Sequence, residues 1–215
     1  MLVTMERARR GLPPTSARAT GRERAGRTHP GILLGLLVLG ALAGCGGGTV
    51  APENPRFPEP AIDALSLRAA VHYPQAFREF THEEEIEGHG TYEIHLGPPQ
   101  MELFDTVLES LFDAVEEVSD VERETVAGYD AVLEPSVDRF EFAIPASTGG
   151  NFFEVWIRYE VSLIAADGTR VARWPVLAYG RTRNLFLDSD EAALQDALIT
   201  ALRDGGAEFL VTFMR

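Results

Sequence analysis

The sequence predicts an α+β domain, a two-layer sandwich with two helices packed on one face of a largely antiparallel sheet of about four to six strands. Three observations predict it. Several segments alternate apolar and polar residues with the period of two that sends successive side chains to opposite faces of a strand. Two others carry apolar residues at three- and four-residue spacing, the stripe of a helix with one buried face. Their order along the 215 residues is strand, hairpin, helix, three strands, helix, which suits helices gathered on one side of a sheet.

From Ser66 onward Leu67, Ala69, Val71 and Tyr73 alternate with Arg68, Ala70 and His72, the pattern of a strand with one wetter face. Residues 76–96 read as two extended segments around Glu87-Gly88-His89-Gly90, a charged hairpin in which Tyr92, Ile94 and Leu96 alternate with Glu93 and His95. Gly97-Pro98-Pro99 ends it and opens a helix, because a proline in the first turn has no hydrogen bond to lose. Met101, Phe104, Val107, Leu108, Leu111, Phe112 and Val115 then form a buried stripe, with Glu102, Asp105, Glu109, Asp113 and Glu116 as its solvated face. Three strands follow, over residues 130–144, 152–165 and 170–180, the last two joined at Asp167-Gly168 in an antiparallel meander. In the middle strand Phe153, Val155, Ile157, Tyr159, Val161 and Leu163 alternate with Glu154, Trp156, Arg158, Glu160 and Ser162. Pro135 and Pro175 inside these strands call for edge positions or bulges, since proline cannot donate to a ladder. The last helix is expected to start at Asp188, with Glu191 closing a capping box, and to bury Ala193, Leu194, Ala197, Leu198, Ala201, Leu202, Phe209 and Phe213. Gly205-Gly206 predicts a bend or break in it, at about 1 kcal/mol per glycine relative to alanine.

The first 44 residues are of a different kind. Arg7, Arg9, Arg10, Arg18, Arg22, Arg24 and Arg27 stand against Glu6 and Glu23, a net of 7 − 2 = +5, so the whole-chain charge of −14 leaves −14 − 5 = −19 for residues 45–215. A domain that acidic repels phosphate backbones, and no nucleic-acid partner is expected. Gly31 to Ala43 is an uncharged apolar run of 13 residues. It is shorter than the roughly 20 residues of a spanning helix and reads as the core of an export signal. The run closes on Leu42-Ala43-Gly44-Cys45, which resembles the lipobox of bacterial lipoproteins. That resemblance implies cleavage between Gly44 and Cys45, a diacylglycerol on the Cys45 thiol and an acyl chain on the new amino group. Each buried methylene contributes about 0.8 kcal/mol, so two or three chains on one residue anchor durably where a single chain holds marginally. Gly46 after the cysteine resembles lipoproteins forwarded to the outer membrane, which implies the periplasmic face of that membrane. The 30 residues before Gly31 exceed the short basic start usual in such signals and point to a start codon further downstream.

The expected organisation is therefore a signal peptide over 1–44, a lipidated cysteine with a flexible Gly/Pro tether over 45–60, and a single α+β domain over 61–215. Fully extended, the tether GGGTVAPENPRFPEP reaches on the order of 50 Å at about 3.3 Å per residue. The element order, with the stretch Tyr129 to Pro135, is similar to that of small envelope lipoproteins of the lipopolysaccharide-assembly type and of auxiliary lipoproteins of lipid-transporting ABC systems. The resemblance implies an accessory role in envelope assembly or transport and carries over no functional residue.

No G-x-S-x-G, P-loop or dinucleotide fingerprint is present, and an acylated Cys45 is unavailable as a nucleophile. No catalytic residue and no cofactor beyond the lipid is assigned. His82, His89 and His95, with Glu83, Glu84 and Glu85, are the candidates for a metal. A turn on Gly88-His89 puts His82 opposite His95, and two cross-strand imidazoles with a carboxylate can hold zinc; a slip of register puts His82 opposite Glu93. The spacing matches no metal signature, so solvated histidines are the ordinary reading and no metal is assigned. Trp156 and Trp174 are candidates for a partner surface, with core packing the alternative for at least one of them. The function expected is that of a membrane-anchored, non-enzymatic envelope lipoprotein that binds an envelope protein through the hairpin and the sheet aromatics. The alternatives are a metal-binding or hydrolytic protein using the His/Glu hairpin, and a lipid carrier with a cavity between sheet and helices.

Overall fold

The meander predicted near the C-terminal half forms the middle of a five-stranded sheet. In the computed structural model, which describes residues 46–53, 55–183 and 189–214, β6 (Ala131–Ala143), β7 (Phe152–Ile164) and β8 (Arg170–Arg183) run antiparallel, joined at Asp167-Gly168. Two further strands, β2 (Leu65–Val71) and β5 (Phe112–Glu117), extend the sheet in the order β5-β2-β6-β7-β8. Both of their pairings, β2 with β6 and β2 with β5, are parallel, so the sheet is mixed, with the antiparallel β6-β7-β8 meander as its larger part. The fold class is α+β, as the sequence predicts.

Both prolines sit where the ladder tolerates them. Pro135 lies beyond the short β2 pairing, which ends at Leu133, and a bulge follows between Val137 and Arg139. Pro175 lies on β8, the edge strand. The Tyr179 N–H points off that edge to Asp204 Oδ2 at 2.9 Å. By the strand's period of two, Leu177 and Pro175 present the same edge, so the N–H that proline lacks is one the sheet never uses.

One predicted helix residue set is divided between two elements. The helix α2 (Gly97–Leu111) ends four residues before Val115, and Phe112 to Glu117 continues as β5, so Phe112 and Val115 belong to a strand instead of the helix stripe. The apolar spacing of Leu111, Phe112 and Val115 fits either element, and pairing with β2 decides it.

The last helix, α5 (Asp190–Phe213), runs unbroken through Gly205-Gly206, against the expected bend. Ser189 caps it, its hydroxyl accepting the Ala192 N–H at 3.2 Å; the predicted cap at Asp188 lies outside the described residues. The two glycines are buried contact points. A methyl on Gly205 would stand 2.9 Å from Ala178 Cβ of β8, and one on Gly206 2.8 Å from Leu103 Cδ1 of α2. Gly180 of β8 completes the approach, since a methyl there would overlap the backbone at Ala197 and Ala201. The helix loses propensity at these positions and gains close packing on the sheet.

Between the layers lies a chain of rings. Tyr159 contacts Phe104 and Phe77 at centroid distances of 5.5 and 6.2 Å, and Phe104 contacts Phe209 at 5.8 Å. A second, smaller core forms on the outer face at one end of the sheet, where Val118 and Val126 of the 118–130 segment cover Ala70, Val132 and Ile164.

The hairpin of β3 (Thr81–Ile86) and β4 (Gly90–His95) belongs to a separate three-stranded sheet of order β1-β4-β3. Its third strand, β1 (Gly47–Val50), pairs parallel with β4 and lies in the segment expected to be a flexible tether. Gly47 adopts a φ of +98°, and any side chain there would overlap the Thr91 backbone. These glycines thus permit two backbones to touch. The chain continues across the helices, with Val50 buried, Phe57 and Ile62 packed against the core, and the Arg56 carbonyl accepting from Arg203 at 2.9 Å. The hairpin itself lies against the sheet: Phe80 and His82 contact Phe140, and Tyr92 contacts Phe142.

Candidate functional site

The helices, the hairpin and the N-terminal segment all cover one face of the large sheet. Beyond the end covered by the 118–130 segment, the other face is open across β6, β7 and β8. The alternation that buries Phe153, Val155, Ile157, Tyr159 and Val161 on the helix side places Glu154, Trp156, Arg158 and Glu160 outside. The register pairs Trp156 with Tyr179 and Arg158 with Leu177. All three apolar residues are exposed, Trp156 by 39%, Tyr179 by 37% and Leu177 by 62%. They border a hollow of 640 Å³ shared with Arg139, Glu141 and Arg158.

The aromatic pair is held in place. Its ring centroids lie 5.5 Å apart, inclined at 35°. The Tyr179 hydroxyl donates to Glu154 Oε1 at 2.5 Å, which raises the phenol above its ordinary range and keeps it a donor. Ion pairs frame the pair: Arg139 with Glu141 at 2.6 Å, Arg158 with Asp138 at 3.2 Å, and Arg173 with Glu160 at 3.0 Å. Arg181 and Arg183 stack over Phe152 at 4.9 and 5.7 Å. Five arginines against four acids make this surface nearly neutral in a segment whose net charge is −19. Flat aromatic faces beside planar guanidinium groups are equipped for recognition, by stacking, apolar burial and forked hydrogen bonds.

The sequence candidates fall apart from one another. His82 pairs with Ile94, one position off both registers considered, because Ile86 pairs with Gly90 across the three-residue turn Glu87-Gly88-His89. Directly opposed residues share a face. His82 therefore lies with Ile94 and packs on Phe140 at 5.0 Å, whereas His95 lies with Thr81 on the other face and His89 sits in the turn. The hairpin does not assemble the three histidines, and no group of three metal-ligating side chains occurs among the described residues. Trp174 faces the helices, 5.7 Å from Phe213, with its Nε1 buried and without a partner among the described residues. Of the two tryptophans, Trp156 alone is on the open face. Cys45 and the cleavage position after Gly44 lie outside the described residues.

Two polar clusters went unread in the sequence. His72 Nδ1, just past β2, meets Glu134 Oε2 at 2.9 Å, and Arg170 donates to Glu134 Oε1 at 2.9 Å, joining the end of β2 to β6 and β8. The buried Tyr73 hydroxyl donates to Asp105 Oδ1 at 2.7 Å, linking the end of β2 to α2, and burial raises the Asp105 carboxyl above the usual aspartate range. Arg78 and Glu117 form an ion pair beside them. Neither cluster sets a nucleophile against a base, and both tie elements together. Around Tyr159 the space between sheet and helices is occupied by the rings of Phe77 and Phe104.

No protein-family model matches the chain, and no curated protein matches it in sequence. Among solved structures, a protein of Caulobacter crescentus CB15 described as a "putative lipoprotein" is similar at 18% identity, covering 54% of this chain and 78% of its own, with a TM-score of 0.38. Among the described residues no helix is long and apolar enough to cross a membrane.

Proposed function

We propose that this chain is an envelope lipoprotein, carried on a diacylglycerol and an N-acyl chain at Cys45, whose domain serves as a non-enzymatic docking module for an envelope protein. The observation that carries the docking role is the Trp156–Tyr179 pair, exposed together with Leu177 on an open sheet face and framed by arginines. Tryptophan, tyrosine and arginine are the residues most often responsible for interface affinity. The near-neutral charge of this face, in so acidic a domain, lets a protein of ordinary surface charge approach it. The export signal and the Leu42-Ala43-Gly44-Cys45 stretch support the lipid anchor, and Gly46 supports a place on the periplasmic face of the outer membrane.

Two measurements test the two parts. Metabolic labelling with an alkynyl fatty acid should mark the wild-type chain and leave Cys45→Ala unmarked and released from the membrane fraction. An unlabelled wild-type chain would end the anchoring role. A photo-crosslinking amino acid placed at Leu177 in cells should yield a discrete adduct with another protein, and the same group at Glu124 should not. Adducts that are equal at both positions, or absent at both, would refute docking on this face.

A further inference from the structure

The N-terminal segment carries an inference about how the domain meets its membrane, which rests on lipidation at Cys45. Gly46 follows that cysteine directly, and consecutive Cα atoms are about 3.8 Å apart. Gly46 packs on the turn of the β3–β4 hairpin: a methyl on it would stand 2.5 Å from the His89 carbonyl oxygen, and one on Gly90 would overlap the Gly46 carbonyl. From there Gly47, Gly48, Thr49 and Val50 pair in register with Thr91, Tyr92, Glu93 and Ile94. Gly48 also touches the first turn of α5, close to the Glu191 side chain. The residues that would supply reach are thus built into a sheet.

We infer that the lipid surface lies against the hairpin-turn end of the domain, with β1 acting as a staple in place of a tether. The occupant of this end is the bilayer itself, because the chain enters the fold here and no free linker stands between Gly46 and the acylated residue. The turn Glu87-Gly88-His89 and the start of α5 face the head groups. The Ala166-Asp167 turn is directed away from them. Tyr92 of β4 contacts Phe142, which pairs with Val155, and Ile164 lies nine residues further along β7. At about 3.3 Å per residue that separates the two ends by roughly 30 Å. The turn that faces the bilayer carries Glu87, with Glu85 beside it opposite Thr91, so the staple holds acidic side chains at the head groups.

The test uses the mature protein purified from bacterial membranes and mixed with phosphatidylcholine vesicles that contain a lipid with a nitroxide on its head group. With Cys45 blocked by its lipid, Glu87→Cys and Ala166→Cys each accept a small fluorophore. Flotation with the vesicles, and quenching several-fold stronger at position 87 than at 166, is the expected result. Flotation with equal quenching at the two positions overturns the staple and leaves lipidation standing. Failure to float overturns lipidation and the inference with it. Gly47→Ala, which forces β1 off Thr91 without touching the hairpin turn, should abolish the difference while flotation persists. A difference that survives this substitution also overturns the inference.

Discussion

Replacing Tyr159 by phenylalanine should make this protein more stable, although the same edit at a typical buried tyrosine weakens a fold. The Tyr159 side chain is fully buried and its hydroxyl has no partner among the described residues. Burial alone pushes its phenol far above the ordinary tyrosine range. An unpartnered buried hydroxyl costs roughly 1–3 kcal/mol. Phenylalanine keeps the ring and its contacts with Phe77 and Phe104, giving up a few oxygen contacts at about 0.1–0.2 kcal/mol each. The balance is a gain of about 1 kcal/mol, or roughly 2–4 °C in Tm for a domain of this size. Tyr73→Phe supplies the matched control. Its hydroxyl donates to Asp105 at 2.7 Å, so the substitution strands a carboxylate oxygen and should lose about 1–3 kcal/mol. Urea unfolding of the mature chain, followed by tryptophan fluorescence, reads both. A loss above about 1 kcal/mol for Tyr159→Phe would mean that the hydroxyl is satisfied, by buried water for instance, and would refute the reasoning.

Other substitutions probe the rest of the fold. Asp105→Asn keeps an acceptor for Tyr73 and removes a carboxyl whose folded-state pKa is raised by burial. Such a group favours folding below its unfolded pKa and loses that contribution as pH rises through the folded one. The variant should therefore show the higher urea midpoint at pH 7, with the advantage shrinking as pH falls through the raised folded-state value and gone below the ordinary aspartate value. Gly180→Val drives methyl groups into the backbone of α5 at Ala197 and Ala201 and should destabilise by about 1–3 kcal/mol or more, read in the same unfolding assay. Trp156→Ala, on an exposed face, should change stability by no more than about 1 kcal/mol while removing the crosslinked adduct formed from position 177. His82→Ala should lose about 1 kcal/mol through its packing on Phe140 and Phe142 and leave the melting curve equally insensitive to added zinc as in the wild-type chain.

What could be read from the sequence follows from how local each signal is. The meander was legible because β6 to β8 alternate over long runs and Asp167-Gly168 marks their turn. The faces of β7 followed directly, and with them the exposure of Trp156. Its partner Tyr179 was hidden, since the run from Trp174 to Tyr179 is apolar on both sides and the register alone brings residue 179 beside residue 156. The hairpin is legible but the alignment of its histidines is not, because Gly88 and Gly90 both take positive φ and make a three-residue turn in place of the two-residue turn that Gly88-His89 predicts. Glycine misled twice more. Gly46 to Gly48 and Gly205-Gly206 have the composition of a linker and a break, and each serves close contact with a partner distant in sequence. A single chain's pattern reports propensity, whereas these positions are set by neighbours that only the fold supplies.

The protected edge of β8 has a consequence for life on a surface. Copies of a lipid-anchored protein share one plane and a common upright orientation, and their encounters are far more frequent than in free solution. Under such crowding, a bare fourteen-residue strand would be an invitation to zip one molecule onto the next. Pro175 offers no donor there, and Asp204 already occupies the one at Tyr179. On the small sheet the exposed rim of β3 is a row of glutamates that repels its own kind. For a chain anchored as proposed, these devices would let a densely populated leaflet remain a population of individuals, each with its aromatic face uncovered.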